Sequence, residues 1–416
     1  MQDSRKIKVG IGFATGRRSF RKILSTYVYN WRECGLNNLD KYTLSLIVAY
    51  DLNYSNTRTI HYTNIKPELY KTIDDACFIG KTRIRNEITN LIDRRVIDIN
   101  EAMLLFGNEG YSVKRNLVLY FALKKKLDYL LFLDDDEYPL AVTKTRQTAL
   151  WSGQHVLKCH LEHIGGADIT NGHHCGYISP IPYIEFNDVM TEEVFKTFIE
   201  AISNDIINWD NIKKVMNNGG VTYADTEVLI NNRAEEVPEI NKAKFISGAN
   251  LCINLTDPGR VKPFYNPPGA RGEDTFLSTS LKEHKVIRVP CYTFHDGFST
   301  YQHIMDGVLP INLRYIRANS DRIINRFYRA CVGWVRYKPL LLYITQRENY
   351  KARMADIKLK LESSLPNVCA YFKRNEFMNI LREFERYQFN VEKHYRQFNQ
   401  VQQIWSKVIN HLMENA

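Results

Sequence analysis

Four carboxylates stand in a row at Asp134, Asp135, Asp136 and Glu137, directly after the apolar run Tyr129-Leu130-Leu131-Phe132-Leu133, and Pro139 closes the turn behind them. The run has the composition and length of a buried parallel strand. Acids clustered at the carboxyl end of such a strand repel one another where water is scarce, so the arrangement is costly unless a cation sits there. Oxygen ligands on a short turn suit Mg²⁺ or Mn²⁺, ions that commonly bridge a diphosphate. An isolated Asp-Asp-Asp reads as a solvated loop; the preceding strand and the residues downstream favour chemistry here.

Those residues come in three further places. Glu273 and Asp274 follow Arg271-Gly272 at the start of a helix expected to run to about 284. Acids suit a helix's first turn for dipole reasons alone, so this pair carries weight only in company. His295 follows a predicted strand at 286–292, where an imidazole on a strand-end turn can complete a metal site. Lys114, Arg115 and Asn116 lie near the start of an amphipathic helix that runs from a Gly-Asn-Glu-Gly turn at 107–110 to 126, and free N–H groups there favour anions. Gly248 interrupts the apolar stretch 244–255, read as a strand pair or a bulged strand, and glycine in a strand marks close approach of a ligand.

The elements that must position them begin with a strand at 8–14, which ends in Thr15-Gly16-Arg17-Arg18. A helix at 20–31 follows, with Ser19 as its cap, and then a strand at 42–50 ending in Asp51. Ligands gather at the carboxyl ends of strands in parallel α/β sheets, which makes Arg17, Arg18 and Asp51 nucleotide contacts or, for the arginines, ordinary loop charge. Helical patterns are expected over 73–97 and 191–208, short strands at 104–106 and 178–186, and a polar, flexible excursion at 209–243. Between 155 and 175 lie His155, Cys159, His160, His163, His173, His174 and Cys175; zinc is conceivable, but their spacing matches no closed site.

The chain of 416 residues carries a net charge of +10 with a pI near 9.0, and 44% hydrophobic and 25% charged residues suit a globular protein with a large core. The charge points to an anionic partner without selecting one. Eight cysteines without a Cys-x-x-Cys pair, several inside apolar runs, read as reduced thiols of a cytoplasmic protein. The N-terminus leads into a strand without a signal peptide, and no apolar run is long enough to span a bilayer. Near Tyr301 the composition shifts to long helical patterns. The segment 321–337 is basic and amphipathic, able to lie peripherally on an anionic inner membrane face or to dock on the main domain, and docking is the favoured expectation. Phe377, Phe384, Val391, Phe398, Trp405 and Leu412 repeat every seven residues, which suits a helical hairpin or a homo-oligomer surface.

In order, the strand unit ending in Asp51, the helix opening with Arg115-Asn116, Leu133-Asp134-Asp135-Asp136, Gly272-Glu273-Asp274 and His295 resemble the GT-A glycosyltransferases, most closely the inverting family-2 type. The resemblance covers roughly residues 6–300, loosely over 140–240. It departs where the first strand ends in Ala-Thr-Gly-Arg-Arg instead of a Pro-Thr-Tyr-Asn pattern, and where Asp51 stands alone. It implies an α/β fold, a Rossmann-like nucleotide-sugar domain with a central mixed sheet over 1–300 and a helical region over 301–416. It also implies a nucleotide-sugar donor, UDP-linked by preference, and Mn²⁺ or Mg²⁺. Asp51 would contact the base; Thr15, Arg17, Lys114, Arg115 or Asn116 the nucleotide or its phosphates. Asp134 would lie near the ribose, Asp135 would belong to the nucleotide site with it, and Asp134, Asp136 and His295 would be on the metal. Asp274 would be the general base, Glu273 would position the acceptor or orient that base, and Gly248 would line the donor sugar or the acceptor. The acceptor would be a glycan, glycolipid or glycoprotein hydroxyl in polysaccharide synthesis. Two rivals remain: a sugar-phosphate nucleotidyltransferase, whose glycine-rich loop would need a lysine that Gly10–Gly16 lacks, and a non-catalytic membrane- or nucleic-acid-binding scaffold. No nucleic-acid motif appears.

Overall fold

In the computed structural model, which describes residues 5–36, 41–107, 110–203 and 209–415 apart from the side chain of Gln302, the apolar runs of the N-terminal part become parallel strands. β1 (Ile7–Thr15), β2 (Tyr42–Tyr50), β3 (Asp75–Ile79) and β4 (Tyr129–Leu133) lie side by side in the order β3-β2-β1-β4. Helices cover both faces, so their residues are apolar in succession rather than alternately. The helix Tyr111–Lys124 is buried on nearly every side, not amphipathic as expected. It presses on β1 so closely that a Cβ on Gly12 would come within 2.7 Å of Val118 Cγ1.

β5 (Glu137–Tyr138) follows the acidic turn, and β6 (Leu140–Lys144) and β7 (Ala149–Gly153) form a separate hairpin. β8 (Ile169–Gly176), β9 (Glu235–Glu236), β10 (Leu251–Asn254) and β11 (Val286–His295) complete the large sheet, with β10 antiparallel between β4 and β8 and β8 parallel to β11. β5 and β9 both pair antiparallel with β11. The sheet is therefore mixed, and the carboxyl ends of β1, β2, β3, β4, β8 and β11 share one edge with the amino end of β10. That edge is where an open α/β sheet binds its ligand.

Several expected elements differ. The segment 73–97 is not helical throughout: Asp75–Ile79 is the edge strand β3, and the helix starts at Lys81. Met103–Gly107 is a π-helical turn, its Leu105 and Phe106 buried against the Tyr111 helix rather than in a strand. Residues 178–186 hold one isolated bridge, Tyr183 to Arg317, because Pro180 and Pro182 lack ladder donors. The helix capped by Thr191 runs over Glu192–Ile202; residues 204–208 lie outside the described residues. The supposed flexible excursion carries the helices Trp209–Asn217 and Thr226–Asn231, and Trp209, Ile212 and Met216 are buried. The Glu273 helix ends at Ser278, short of 284.

Beyond Tyr301 stand the helices Asp321–Thr345, Tyr350–Phe372, Asn379–Phe389 and Val391–Glu414. They dock. Phe327, Cys331 and Val335 of the first pack with Phe195 and Phe198, which occupies the apolar face that a membrane would otherwise take. The seven-residue repeat breaks at Asn390: Phe377 and Phe384 face this helical layer, while Val391, Phe398 and Trp405 join Leu117, Phe132 and Phe264 beneath the sheet. Among the described residues no helix is long and apolar enough to cross a membrane.

Trp405 is 2% exposed and its Nε1 donates to Val261 O at 2.8 Å. Trp405→Ala is expected to cost about 3–5 kcal/mol, read as a lower urea midpoint at unchanged m-value. A loss below 1 kcal/mol would mean that the last helix is an appendage and not part of the sheet's core.

Candidate functional site

At the carboxyl edge of the sheet a cleft of about 330 Å³ is lined by Arg17, Arg115, Asp134, Asp135, Asp136, Glu273, Asp274 and His295, among others. The size suits a bound small molecule. A second hollow of about 260 Å³ adjoins it, lined by Thr15, Asp51, Asn53, Gly110 and Lys114. Both share Tyr54 and Tyr111, whose rings meet edge-on with centroids 6.2 Å apart and form a neck between the two hollows. Four stretches distant in sequence thus converge, as their places at strand ends require.

Local geometry explains the meeting of the acidic turn and His295. β5 adds to the end of β11 with His295 opposite Glu137, and Asp296 N donates to Asp136 O at 3.0 Å. His295 Nε2 then lies 3.2 Å from Asp136 Oδ2. Burial works against charge on that imidazole, but Asp136 prevails and pushes it up to about 9. Arg17 Nη1 bridges Asp135 Oδ1 at 2.8 Å and Asp136 Oδ2 at 2.6 Å, and Thr15 Oγ1 donates to Asp135. Against the effect of burial, Arg17 and His295 hold Asp136 well below the usual carboxylate range.

Arg115 organises the other half. It is 3% exposed, its guanidinium lies over the rings of Phe132 and Phe264, and it donates to the carbonyl of Gly248. Its Nη2 is 3.2 Å from Asp134 Oδ1 and its Nε 3.3 Å from Glu273 Oε1. A Cβ on Gly248 would lie 2.9 Å from Arg115 Nη2, so a larger residue there would push the guanidinium aside. Gly272 precedes the Glu273 helix at φ +89°, a left-handed conformation that glycine adopts without strain. Asp274 Oδ2 accepts from Gly248 N at 3.0 Å and Oδ1 from Thr275 N at 2.8 Å. Burial, then the charge of Glu273, push Asp274 up to about 6 against Arg115. Burial likewise pushes Asp134 to about 7; Arg115 opposes it, and Glu137, Asp136 and Asp135 add to it. A carboxylate titrating near neutrality is matched to accepting a proton at physiological pH.

Not every expected residue reaches the cleft. Asn116 is 2% exposed and uses its amide on the backbone of Phe264, donating to O at 2.9 Å and accepting from N at 2.8 Å; its role is to hold that loop. Gly248 and Arg115 position Asp134, Glu273 and Asp274 rather than standing free for a ligand. Lys114 Nζ faces Asp51 Oδ2 at 3.4 Å in the second hollow. Ser19 makes no cap; its hydroxyl points to Asp135 O at 3.4 Å. Sequence reasoning missed Tyr54 and Tyr111, Trp334 and Tyr337 on the far wall, and the pairing of Glu137 with His174 (Nδ1 to Oε1, 3.2 Å) and Thr293 (2.8 Å). The aromatic Tyr111 directly after Gly110 was a signal available for the neck.

The histidine-rich stretch is dispersed. His160 is buried between Thr170 Oγ1 (2.7 Å) and Asn250 Oδ1 (2.8 Å), and His173 stacks on Tyr292. Among the described residues no group of three His, Cys, Asp or Glu is arranged to hold a metal. A two-ligand site is another matter. Ligand atoms each about 2.1 Å from one ion at a right angle lie roughly 3.0 Å apart, and Mg²⁺ commonly takes one or two protein ligands with the rest from phosphate and water. The 3.2 Å between Asp136 Oδ2 and His295 Nε2 fits that edge once an ion displaces the imidazole proton and Arg17 Nη1, 2.6 Å from the same oxygen, moves aside; Asp134 is turned to Arg115. No protein-family model matches this chain, and no curated protein matches its sequence.

Proposed function

We propose that the chain is an inverting, metal-dependent glycosyltransferase with a GT-A fold, moving a sugar from a nucleoside-diphosphate donor, UDP-linked by preference, to a hydroxyl of a glycan, glycolipid or glycoprotein. One observation carries the reading: Asp136 with His295, and Asp274 at about 6, line one cleft that opens past two tyrosines onto a hollow holding Asp51 and Lys114. In this reading the nucleoside occupies the hollow, with Asp51 on its base. The diphosphate lies beside Arg17, Asp136 and His295. A divalent ion held by Asp136 and His295 would neutralise charge on the departing diphosphate.

Asp274 takes the proton of the acceptor hydroxyl as that oxygen bonds to the anomeric carbon. The bond from this carbon to the phosphate oxygen breaks, and the nucleoside diphosphate leaves with its electron pair. Attack opposite the leaving group inverts the carbon. Glu273 pairs with Arg115, and the charge of Arg115 works against burial and Glu273 to favour the carboxylate form of Asp274. All eight cysteines are free, which suits a reducing cytoplasm.

The reading is tested by thermal shift with UDP, GDP, CDP and dTDP, each with and without Mn²⁺, on wild type and Asp136→Ala. Ligands that bind the native state raise its apparent stability. One nucleotide is expected to raise the wild-type Tm with Mn²⁺ and to fail on the variant; an equal metal-dependent shift in Asp136→Ala counts against the site.

A further inference from the structure

The helical wall of the cleft carries a guanidinium that the mechanism above leaves unused. Arg326, in the second turn of the helix Asp321–Thr345, lines the same cleft as Asp136 and Asp274. Two other arginines there are matched to carboxylates, Arg17 to Asp135 and Asp136, and Arg115 to Asp134 and Glu273. Arg326 makes no ion pair among the described residues. Its guanidinium carbon lies 5.7 Å from the centre of the Phe298 ring, and its Nε is buried without a hydrogen-bond partner. Arg271, three residues before Asp274, lines the cleft too, is exposed, and also has no ion pair among the described residues.

An arginine held half-buried without an anion is unfavourable, first through burial, which pulls its pKa below the ordinary value; Asp136 only partly offsets this, and Arg17 and Arg271 repel it. Its planar fork matches the paired oxygens of a phosphate or carboxylate. We infer that Arg326, assisted by Arg271, forms an oxyanion subsite on the helical wall that takes a phosphate or carboxylate of the bound substrate. The inference deepens the glycosyltransferase reading and rests on it for the substrate. The oxyanion has two sources there, the donor's diphosphate or an acidic group on the acceptor. In either case the helices beyond Tyr301 furnish part of the site.

The test is isothermal titration of the full chain, with Mn²⁺ present throughout, with inorganic pyrophosphate and with UDP, GDP, CDP and dTDP, in wild type, Arg326→Gln and Arg271→Gln. Arg326→Gln is expected to weaken pyrophosphate about tenfold or more, and Arg271→Gln less. An equal loss for the nucleoside diphosphate assigns the oxyanion to the donor; an unchanged nucleoside diphosphate beside weakened pyrophosphate assigns it to the acceptor. Unchanged affinity for both ligands in Arg326→Gln overturns the subsite, as does a wild type that binds neither. Wild type binding pyrophosphate but no nucleoside diphosphate would sink the glycosyltransferase reading and leave the subsite standing. Should Arg326→Gln melt early, Arg326→Lys keeps the charge and loses the fork; a loss of about threefold is expected, and full affinity overturns the proposal.

Discussion

Asp274→Asn is expected to lower sugar transfer by about 10²–10⁴-fold while leaving nucleotide affinity near that of wild type. The amide keeps the shape of the carboxylate, and its single oxygen can still accept from Gly248 N or from Thr275 N though not from both, but it cannot take the acceptor's proton. The nucleotide would lie on the other side of the acidic turn, so its contacts survive. The same assignment fixes a pH dependence. Asp274 is pushed up to about 6 by burial and by Glu273, against Arg115. A base must be unprotonated to act, so the wild-type rate should fall as pH drops through about 6 and level off above it. Transfer at the wild-type rate in Asp274→Asn would remove the residue from the mechanism. So would a pH profile with no acidic limb near 6.

Arg115→Met should produce the largest loss of stability of any single change in the site, about 3–5 kcal/mol at pH 7. Methionine fills part of the space between Phe132 and Phe264, but it strands Asp134, Glu273 and the Gly248 carbonyl without their buried donor. The deficit should shrink on acidification. In the native chain burial pushes Asp134 up to about 7, against Arg115, with Glu137, Asp136 and Asp135 adding to the rise; in the unfolded chain an aspartate titrates near 3.9. Between those values the native state holds a proton that the unfolded state has released, so stability rises as pH falls through that window. Without Arg115 the native value rises further and the window widens. Denaturant midpoints at pH 8 and pH 5 check this: a variant gap that stays constant or grows at pH 5 contradicts the proposed role of Arg115.

The acidic turn was legible because two signals coincided, an unbroken apolar strand and acids at its carboxyl end. The same logic located Asp51 and His295. Their meeting was not legible, because it depends on β5 folding back onto the end of β11 with His295 opposite Glu137, a register that no local pattern encodes. Arg115 was read as an anion ligand from its place near a helix start. The structure gives it to Asp134, Glu273 and Gly248 because those partners lie within 3.5 Å inside the fold. β3 escaped notice since five residues from Asp75 run straight into a helix after Gly80, and the helical period of that helix dominates the window. The C-terminal helices showed their apolar stripe but not its target. A stripe at helical spacing says that a face will be buried, and only the tertiary arrangement sets Trp405 under the sheet and Arg326 into the cleft.

The proposed activity is transfer of a sugar from a nucleoside-diphosphate donor. Its most direct measurement follows the small product released on incubating the chain with a panel of nucleotide sugars and Mn²⁺, with water or added saccharides as acceptor, and separately with nucleoside triphosphates and sugar 1-phosphates. Release of a nucleoside diphosphate from one nucleotide sugar is expected, and its loss in both Asp274→Asn and Asp136→Ala. Pyrophosphate released from a nucleoside triphosphate and a sugar phosphate would contradict it and identify a nucleotidyltransferase instead.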